Sequence, residues 1–332
     1  MRGWLRPLLL PLLRRREDEI ELRSRSFRIA SEDDRERVAR LGRAFLGGYN
    51  AMLAASALEH VAAAGAAVEP HYRPFFFEGA AMGYLPRGYY GAGCSVERAE
   101  ADLLRMHPAF RHLYYVGLGF WYGFRHRARP RRLSELVAHV DALYAPLCWD
   151  GLGFKAGFFD FDPPDGGPAR AILEGCPEAV RPWAFQGFGR AMFFVYMDDP
   201  EGFERLAARL GPARRLDLEF GRSLARGFTG LDRPEALVAY VGSAPDATLG
   251  AQRRLGVTWA LTARRMNDRD YFDRCLARAG AEVRDTLGAL PDLCDAALAG
   301  ARSYEQWQDR TRTALQASRW PAVDRVVPPR TT

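Results

Sequence analysis

Nearly half of this 332-residue chain is apolar (48%) and its net charge is a modest +6, so it has core enough for one large domain or two ordinary ones. It lacks the composition of a disordered or heavily charged segment. Its five cysteines, Cys94, Cys148, Cys176, Cys275 and Cys294, are widely spaced, odd in number and without a Cys-x-x-Cys pair. That excludes a disulfide framework and a structural zinc site, and it fits a reducing cytoplasm.

In chain order, the first feature is a short apolar run, Leu8-Leu9-Leu10-Pro11-Leu12-Leu13, followed at once by Arg14-Arg15-Arg16. A secretory signal has a longer run and a small-residue cleavage site. Residues 1–16 therefore read as a docking segment with at most peripheral contact to a membrane surface. No stretch approaches the ~18 uninterrupted apolar residues of a spanning helix. Residues 1–30 are expected to form an N-terminal arm, extended where Glu19 to Phe27 alternate weakly. Ser31, followed by Glu32, Asp33 and Asp34, starts a helix; Val38, Leu41, Phe45, Tyr49 and Met52 carry it toward residue 64 at helical spacing.

Residues 68–94 are expected to be irregular. Pro70, Pro74, Pro86 and many glycines argue against a long helix, while Tyr72, Phe75, Phe76, Phe77, Tyr84 and Tyr89 argue against disorder.

The next stretch repeats itself. Gly119, Gly153, Gly189, Gly221 and Gly256 are 34, 36, 32 and 35 residues apart. Each lies in a long apolar segment, and about ten residues later each segment reaches a polar breaker such as Asp198-Asp199-Pro200 or Asp232-Arg233-Pro234. A period of ~34 residues is one two-helix unit. The predicted fold is all-α: tandem two-helix repeats from about 110 to 281 in a curved or closed array, with capping helices over 281–318. Residues 31–320 form one helical-repeat domain in this reading, and residues 321–332 a loose tail. Glycine inside a helix costs up to about 1 kcal/mol against alanine, so the recurring glycines predict close approach of neighbouring helices.

Candidate chemistry is sparse. Asp198-Asp199-Pro200-Glu201 could suggest carboxylates around magnesium, but Asp-Pro-Glu is helix-start chemistry and no second acidic cluster completes a metal site. The histidines (His60, His71, His107, His112, His126 and His139) show no His-x-x-x-His pair, and no Gly-x-Ser-x-Gly elbow occurs. Metal and redox cofactors are not implied. The strongest candidates are polar residues set within the aromatic first helices, Asp150, Gln186, Arg190 and Arg222, together with Glu78 between Phe77 and Gly79. Gln186 and Arg190 are four apart and share a helix face, and Asp150 stands one repeat before Gln186. These residues either hold the polar end of a ligand or form a buried network that sets register. A second candidate surface is the basic run containing Arg125, Arg127, Arg129, Arg131 and Arg132. It suits an acidic protein partner better than nucleic acid, being one short run at a helix turn.

Four motifs in order and spacing, Phe77-Glu78-Gly79-Ala80-Ala81-Met82, Gly117-Leu118-Gly119-Phe120, Asp150-Gly151-Leu152-Gly153-Phe154 and Gln186-Gly187-Phe188-Gly189-Arg190, resemble the UnbL-like family, also described as domain of unknown function 1702. The resemblance spans roughly Phe27 to Ala279. It implies a place in bacterial enediyne-type polyketide or related specialised-metabolite biosynthesis and no defined reaction. Combined with the aromatic density between Tyr72 and Tyr196, it leads to two expectations. One is a cytoplasmic protein that binds a hydrophobic, unsaturated intermediate and assists its cyclisation or isomerisation. The other is a non-catalytic scaffold that docks an acidic carrier protein or synthase.

Overall fold

The computed structural model describes residues 6–16, 18–19, 27–90, 93–125, 130–318 and 320. The expected extended stretch falls largely on residues 20–26 and the expected loose tail on 321–332, outside the described residues. Among the described residues every regular element is a helix, and none is long and apolar enough to cross a membrane. The first are α1 (Arg6–Leu13), α2 (Glu32–Ala54), α3 (Leu58–Ala66), α4 (Arg73–Arg87) and α5 (Val96–Met106). Long and short helices then alternate: α6 (Arg111–Arg125) with α7 (Pro130–Val137), α8 (Pro146–Phe159) with α9 (Gly167–Glu174), and α10 (Arg181–Val195) with α11 (Pro200–Leu210). The alternation continues as α12 (Pro212–Thr229) with α13 (Pro234–Gly242), and α14 (Ala247–Asn267) with α15 (Arg269–Leu276). The last helices are α16 (Ala281–Leu298) and α17 (Tyr304–Ala317).

Local chemistry starts these helices where the sequence places breakers. Ser31, Asp199, Asp246, Asp268 and Ser303 each accept a hydrogen bond from a backbone N–H in the first turn of the following helix, satisfying donors that the helix itself leaves open. Proline takes the first turn of α8, α10, α11 and α13, where it forfeits no bond. The parallel between Asp199 and Asp232 is incomplete: α13 is preceded by Arg233, which makes no side-chain cap.

Two expectations need correction. Residues 68–94 are not irregular, because α4 occupies 73–87. Pro74 lies in its first turn, where it forfeits no bond, and Pro86 is its penultimate residue, where the missing N–H and the ring disturb only the last turn. Gly79 is kept in this helix by the backbone of α2, since a Cβ there would lie 1.8 Å from the Phe45 carbonyl oxygen. Residues 31–320 are also not one domain. The chain divides into two compact units, residues 1–221 and 222–332. Repeats touch mainly their neighbours, so no single core obliges the whole chain to cohere.

Within the first unit, α2, α4, α6 and α8 each contact the next of the series, and α8 contacts α10. The glycines explain how. Residues i and i+2 project about 200° apart on a helix, so a Gly-x-Gly pair can open both flanks. On α6, a Cβ at Gly117 would meet the Glu78 carbonyl oxygen of α4 at 2.3 Å, and one at Gly119 the Cys148 oxygen of α8 at 1.9 Å. On α8, Gly151 faces the Val116 oxygen of α6 at 2.1 Å and Gly153 the Ala184 oxygen of α10 at 1.8 Å. Gly187 on α10 returns the contact to the Asp150 oxygen at 1.8 Å, and Gly189 faces Leu218. Each of α6, α8 and α10 thus gives one glycine to the neighbour before it and one to the neighbour after it.

The second unit has its own core. There α14 contacts α13, α15, α16 and α17, and Trp259 lies 4.2 Å from Trp307 between ring centres. The Trp307 indole donates to the Cys294 carbonyl at 2.9 Å.

Alanine at the paired glycines should separate packing from propensity. Gly153→Ala and Gly187→Ala gain about 1 kcal/mol of helix propensity, yet each should lower stability by about 1–3 kcal/mol or more through overpacking against backbone. Gly280→Ala, where an added Cβ meets nothing within 4 Å, should be nearly neutral. Urea midpoints of the three variants measure the difference.

Candidate functional site

The site lies in the first unit and is built by the same register. The position before each Gly-x-Gly pair is Val116, Asp150 or Gln186. The position after it is Phe120, Phe154 or Arg190, and one turn later come Phe124, Phe158 and Phe194. Residues four apart share a helix face, so packed helices in this register present rows of rings. Phe120 and Phe154 lie 5.8 Å apart between ring centres, Phe154 and Phe158 4.7 Å, and Phe158 and Phe194 5.8 Å.

These rows form one wall of a cavity of about 700 Å³, which α2 lines with Leu41 and Phe45 and α4 with Glu78 and Met82. The N-terminal segment contributes Arg15, Glu19 and Phe27. Its described residues are held by hydrogen bonds: the Arg15 amide donates to Asn50 at 3.0 Å, Asn50 donates back to the Arg15 carbonyl at 2.8 Å, and the Arg28 amide donates to the Val195 carbonyl at 2.9 Å. Phe159 marks the solvent side, at 36% exposure.

Glu78 is the one acidic side chain that α4 offers to this space, and it is 1% exposed. Its Oε1 lies 3.5 Å from Arg190 Nη2 and has no hydrogen-bond partner among the described residues. Arg190 is itself buried. It forms a short ion pair with Asp150, and its guanidinium lies 4.4 Å from the centre of the Phe154 ring. Gln186 donates to the other Asp150 oxygen at 2.9 Å. Two carboxyls therefore share one cation, and Asp150 holds the better geometry. Burial pushes Asp150 above the ordinary carboxylate range, while Arg190 and Gln186 pull it back. For Glu78, burial outweighs the pull of Arg190, with the Asp150 charge adding to the rise, and its pKa reaches about 7. Such a carboxyl can hold or release a proton near neutrality.

The structure thus brings together four of the five candidate ligand-binding residues. Glu78 lines the cavity, whereas Asp150, Gln186 and Arg190 stand behind it as a buried network. Arg222 is buried in the second unit. Of the basic run, Arg127 and Arg129 lie outside the described residues. Arg125 donates to the Tyr89 hydroxyl at 2.9 Å, Arg132 pairs with Glu135 at 2.8 Å, and Arg131 is exposed. The sequence reading did not single out the N-terminal residues Arg15 and Glu19 or the ring rows. The rows had a signal, a phenylalanine five residues after the second glycine of three successive repeats. It also missed the setting of His112, whose two buried ring nitrogens lack partners among the described residues. Burial, aided by the charge of Arg190, drops its pKa to about 3, so it is neutral.

The Glu78 carboxyl is harder to ionise in the folded chain than at its ordinary value of 4.5. Its contribution to stability is therefore complete below that value and drains away as pH rises through about 7. Glu78→Gln, which cannot ionise, should melt several degrees above the wild type at alkaline pH (about 2–4 °C per kcal/mol). The gap should close toward pH 5. Thermal melts at the two pH values check the sign.

No curated protein and no solved structure matches this chain. Residues 3–315 match the family model described as "Protein of unknown function (DUF1702)". With nearly the whole sequence covered and the four motifs in place, the chain belongs to the DUF1702 family.

Proposed function

We propose that this protein binds a hydrophobic, unsaturated small molecule in the phenylalanine-walled cavity of its first unit, with Glu78 as the polar group that meets it. The observation that carries this reading is the cavity itself. About 700 Å³ of space with largely aromatic walls and a single buried carboxyl at one side is the size and character of a site for a drug-sized ligand. The likeness of its motifs to UnbL-like sequences supports a setting in bacterial enediyne or polyketide-type biosynthesis, in the cytoplasm.

The chemistry that suits this site is proton transfer. A protonated Glu78 gives its proton to one carbon of a polyene, the π pair forms the new C–H bond, and the adjacent carbon becomes electron-poor. Loss of a proton from a neighbouring carbon to the Glu78 carboxylate restores the double bond one position along. Attack by a second double bond before that loss closes a ring. Protons and electrons balance in both cases without an oxidant or reductant, and the walls hold the chain in one fold for the step.

The test is binding of a neutral apolar fluorophore, N-phenyl-1-naphthylamine, to the purified chain. One equivalent should bind with a blue-shifted, enhanced emission. Leu41→Trp, which adds bulk from α2 into the cavity, should weaken binding by about tenfold or more, the order of losing a well-packed apolar contact. Absence of saturable binding would sink the reading.

A further inference from the structure

When Glu78 is ionised, charge at the inner wall of the cavity does not balance. Arg190 is the buried cation closest to hand, and it is engaged by Asp150 through a short ion pair, with Gln186 completing that carboxylate. Glu78, as buried as Asp150, has only the longer 3.5 Å approach of Arg190 Nη2 and an Oε1 without a hydrogen bond. A buried carboxylate in this position is stable only with a proton or with a second positive charge beside it. The cavity that Glu78 lines is also lined by Phe45, Phe75, Phe120 and Phe154, and aromatic faces joined to a carboxylate are the surroundings that organic ammonium groups prefer.

We infer that the ligand of this cavity carries a basic nitrogen: an apolar amine whose ammonium group pairs with Glu78 among the phenylalanine rings. This inference rests on the cavity being the ligand site and not on proton transfer to carbon, because a Glu78 carboxylate paired with an ammonium has no proton to give; it names the chemistry of the end that reaches the inner wall. An amine entering as the free base takes the Glu78 proton. The nitrogen lone pair forms the N–H bond, the O–H bond breaks, and an ammonium–carboxylate pair remains. A permanently charged ammonium instead displaces that proton to solvent. The competing occupant, a neutral carbonyl accepting a hydrogen bond from protonated Glu78, leaves Arg190 paired with Asp150 and requires that Glu78 keep its proton.

The two differ in their pH dependence. Besides Glu78, the charged or titratable groups around the site among the described residues are Asp150 and Lys155 of α8, the latter 5.1 Å from the Phe124 ring centre and paired with Asp160, Arg190 of α10, His112 of α6, and Arg15 and Glu19 of the N-terminal segment. The residues that α2 presents to the cavity, such as Val38, Leu41 and Phe45, are apolar. His112 stays neutral, and Glu78, with its pKa raised to about 7, changes charge in that region. Binding of a permanent cation should therefore tighten as pH rises through that region.

The experiment is competition against bound N-phenyl-1-naphthylamine on the intact chain by three probes of similar size. They are benzyltrimethylammonium, its carbon isostere neopentylbenzene, and the ketone pivalophenone. The expected result is that the ammonium competes at about tenfold lower concentration than the isostere at alkaline pH, a margin within reach of desolvated cation–π and ion pairing. Its advantage should fall as pH drops to about 6 and vanish in Glu78→Gln. The pH series on wild type needs no variant, so a misfolded Glu78→Gln would not hide the answer. If the isostere or the ketone competes as well as the ammonium, or if the ammonium gains nothing with pH, the amine assignment is wrong while the cavity reading stands. If the fluorophore itself finds no saturable site, both fall together.

Discussion

The contact on which this architecture depends is a glycine against a carbonyl oxygen. Where Gly153 faces Ala184 and Gly187 faces Asp150, a single methyl group would sit at 1.8 Å from the neighbouring backbone. Helix axes can lie this close only when the crossing residues have no side chain. The closeness carries a price in helix propensity, which the packing of long aromatic side chains on either flank offsets. It also locks register. With one glycine for the helix before and one for the helix after, a helix cannot slide by a residue without driving a Cβ into backbone.

Register is what converts repetition into a site. Because α6, α8 and α10 align glycine against backbone, the residues one and five positions after the second glycine come out side by side on successive helices. Four-residue spacing puts both on a single face, and that face looks into the cavity. The rows are mostly phenylalanine, and the exceptions matter. Asp150 and Gln186 interrupt the apolar position before the pair, and Arg190 replaces the ring after it. Two neighbouring helices thus contribute one buried network. The network behind the wall then sets the electrostatics of Glu78 on α4. A lone carboxyl in an apolar wall would stay protonated; one beside a cation already engaged by another carboxylate is poised near neutrality.

Parts of the site were legible in advance. Asp150, Gln186 and Arg190 stood out as polar residues inside aromatic helices, and matching phase in successive repeats was a sound reason to expect them together. Glu78 stood out only as a carboxyl between Phe77 and Gly79, in a stretch expected to be irregular. The assignment of its surroundings failed, because prolines at 74 and 86 read as helix breakers, whereas Pro74 sits in the tolerated first turn of α4 and Pro86 disturbs only its last turn. The N-terminal contribution was invisible. Nothing in Arg15 or Glu19 marks them as cavity residues, since their place depends on Asn50 and on backbone hydrogen bonds made by residues 27–30 to the end of α10 and beyond.

The sequence by itself determined the paired helices of the repeating stretch, though not α4, because caps, prolines and 34-residue periodicity are local signals that each repeat carries within its own length. It also determined that neighbouring helices approach closely, because glycine at equivalent helix positions has few other uses. Only the tertiary structure decided that the rings leave space instead of filling it, that Glu78 meets that space while Asp150 and Arg190 stand behind it, and that the array divides at Gly221. Whether a phenylalanine fills a core or walls a cavity depends on how far apart the packed backbones hold it from its opposite number. That distance is a property of several helices at once and is written in none of them alone.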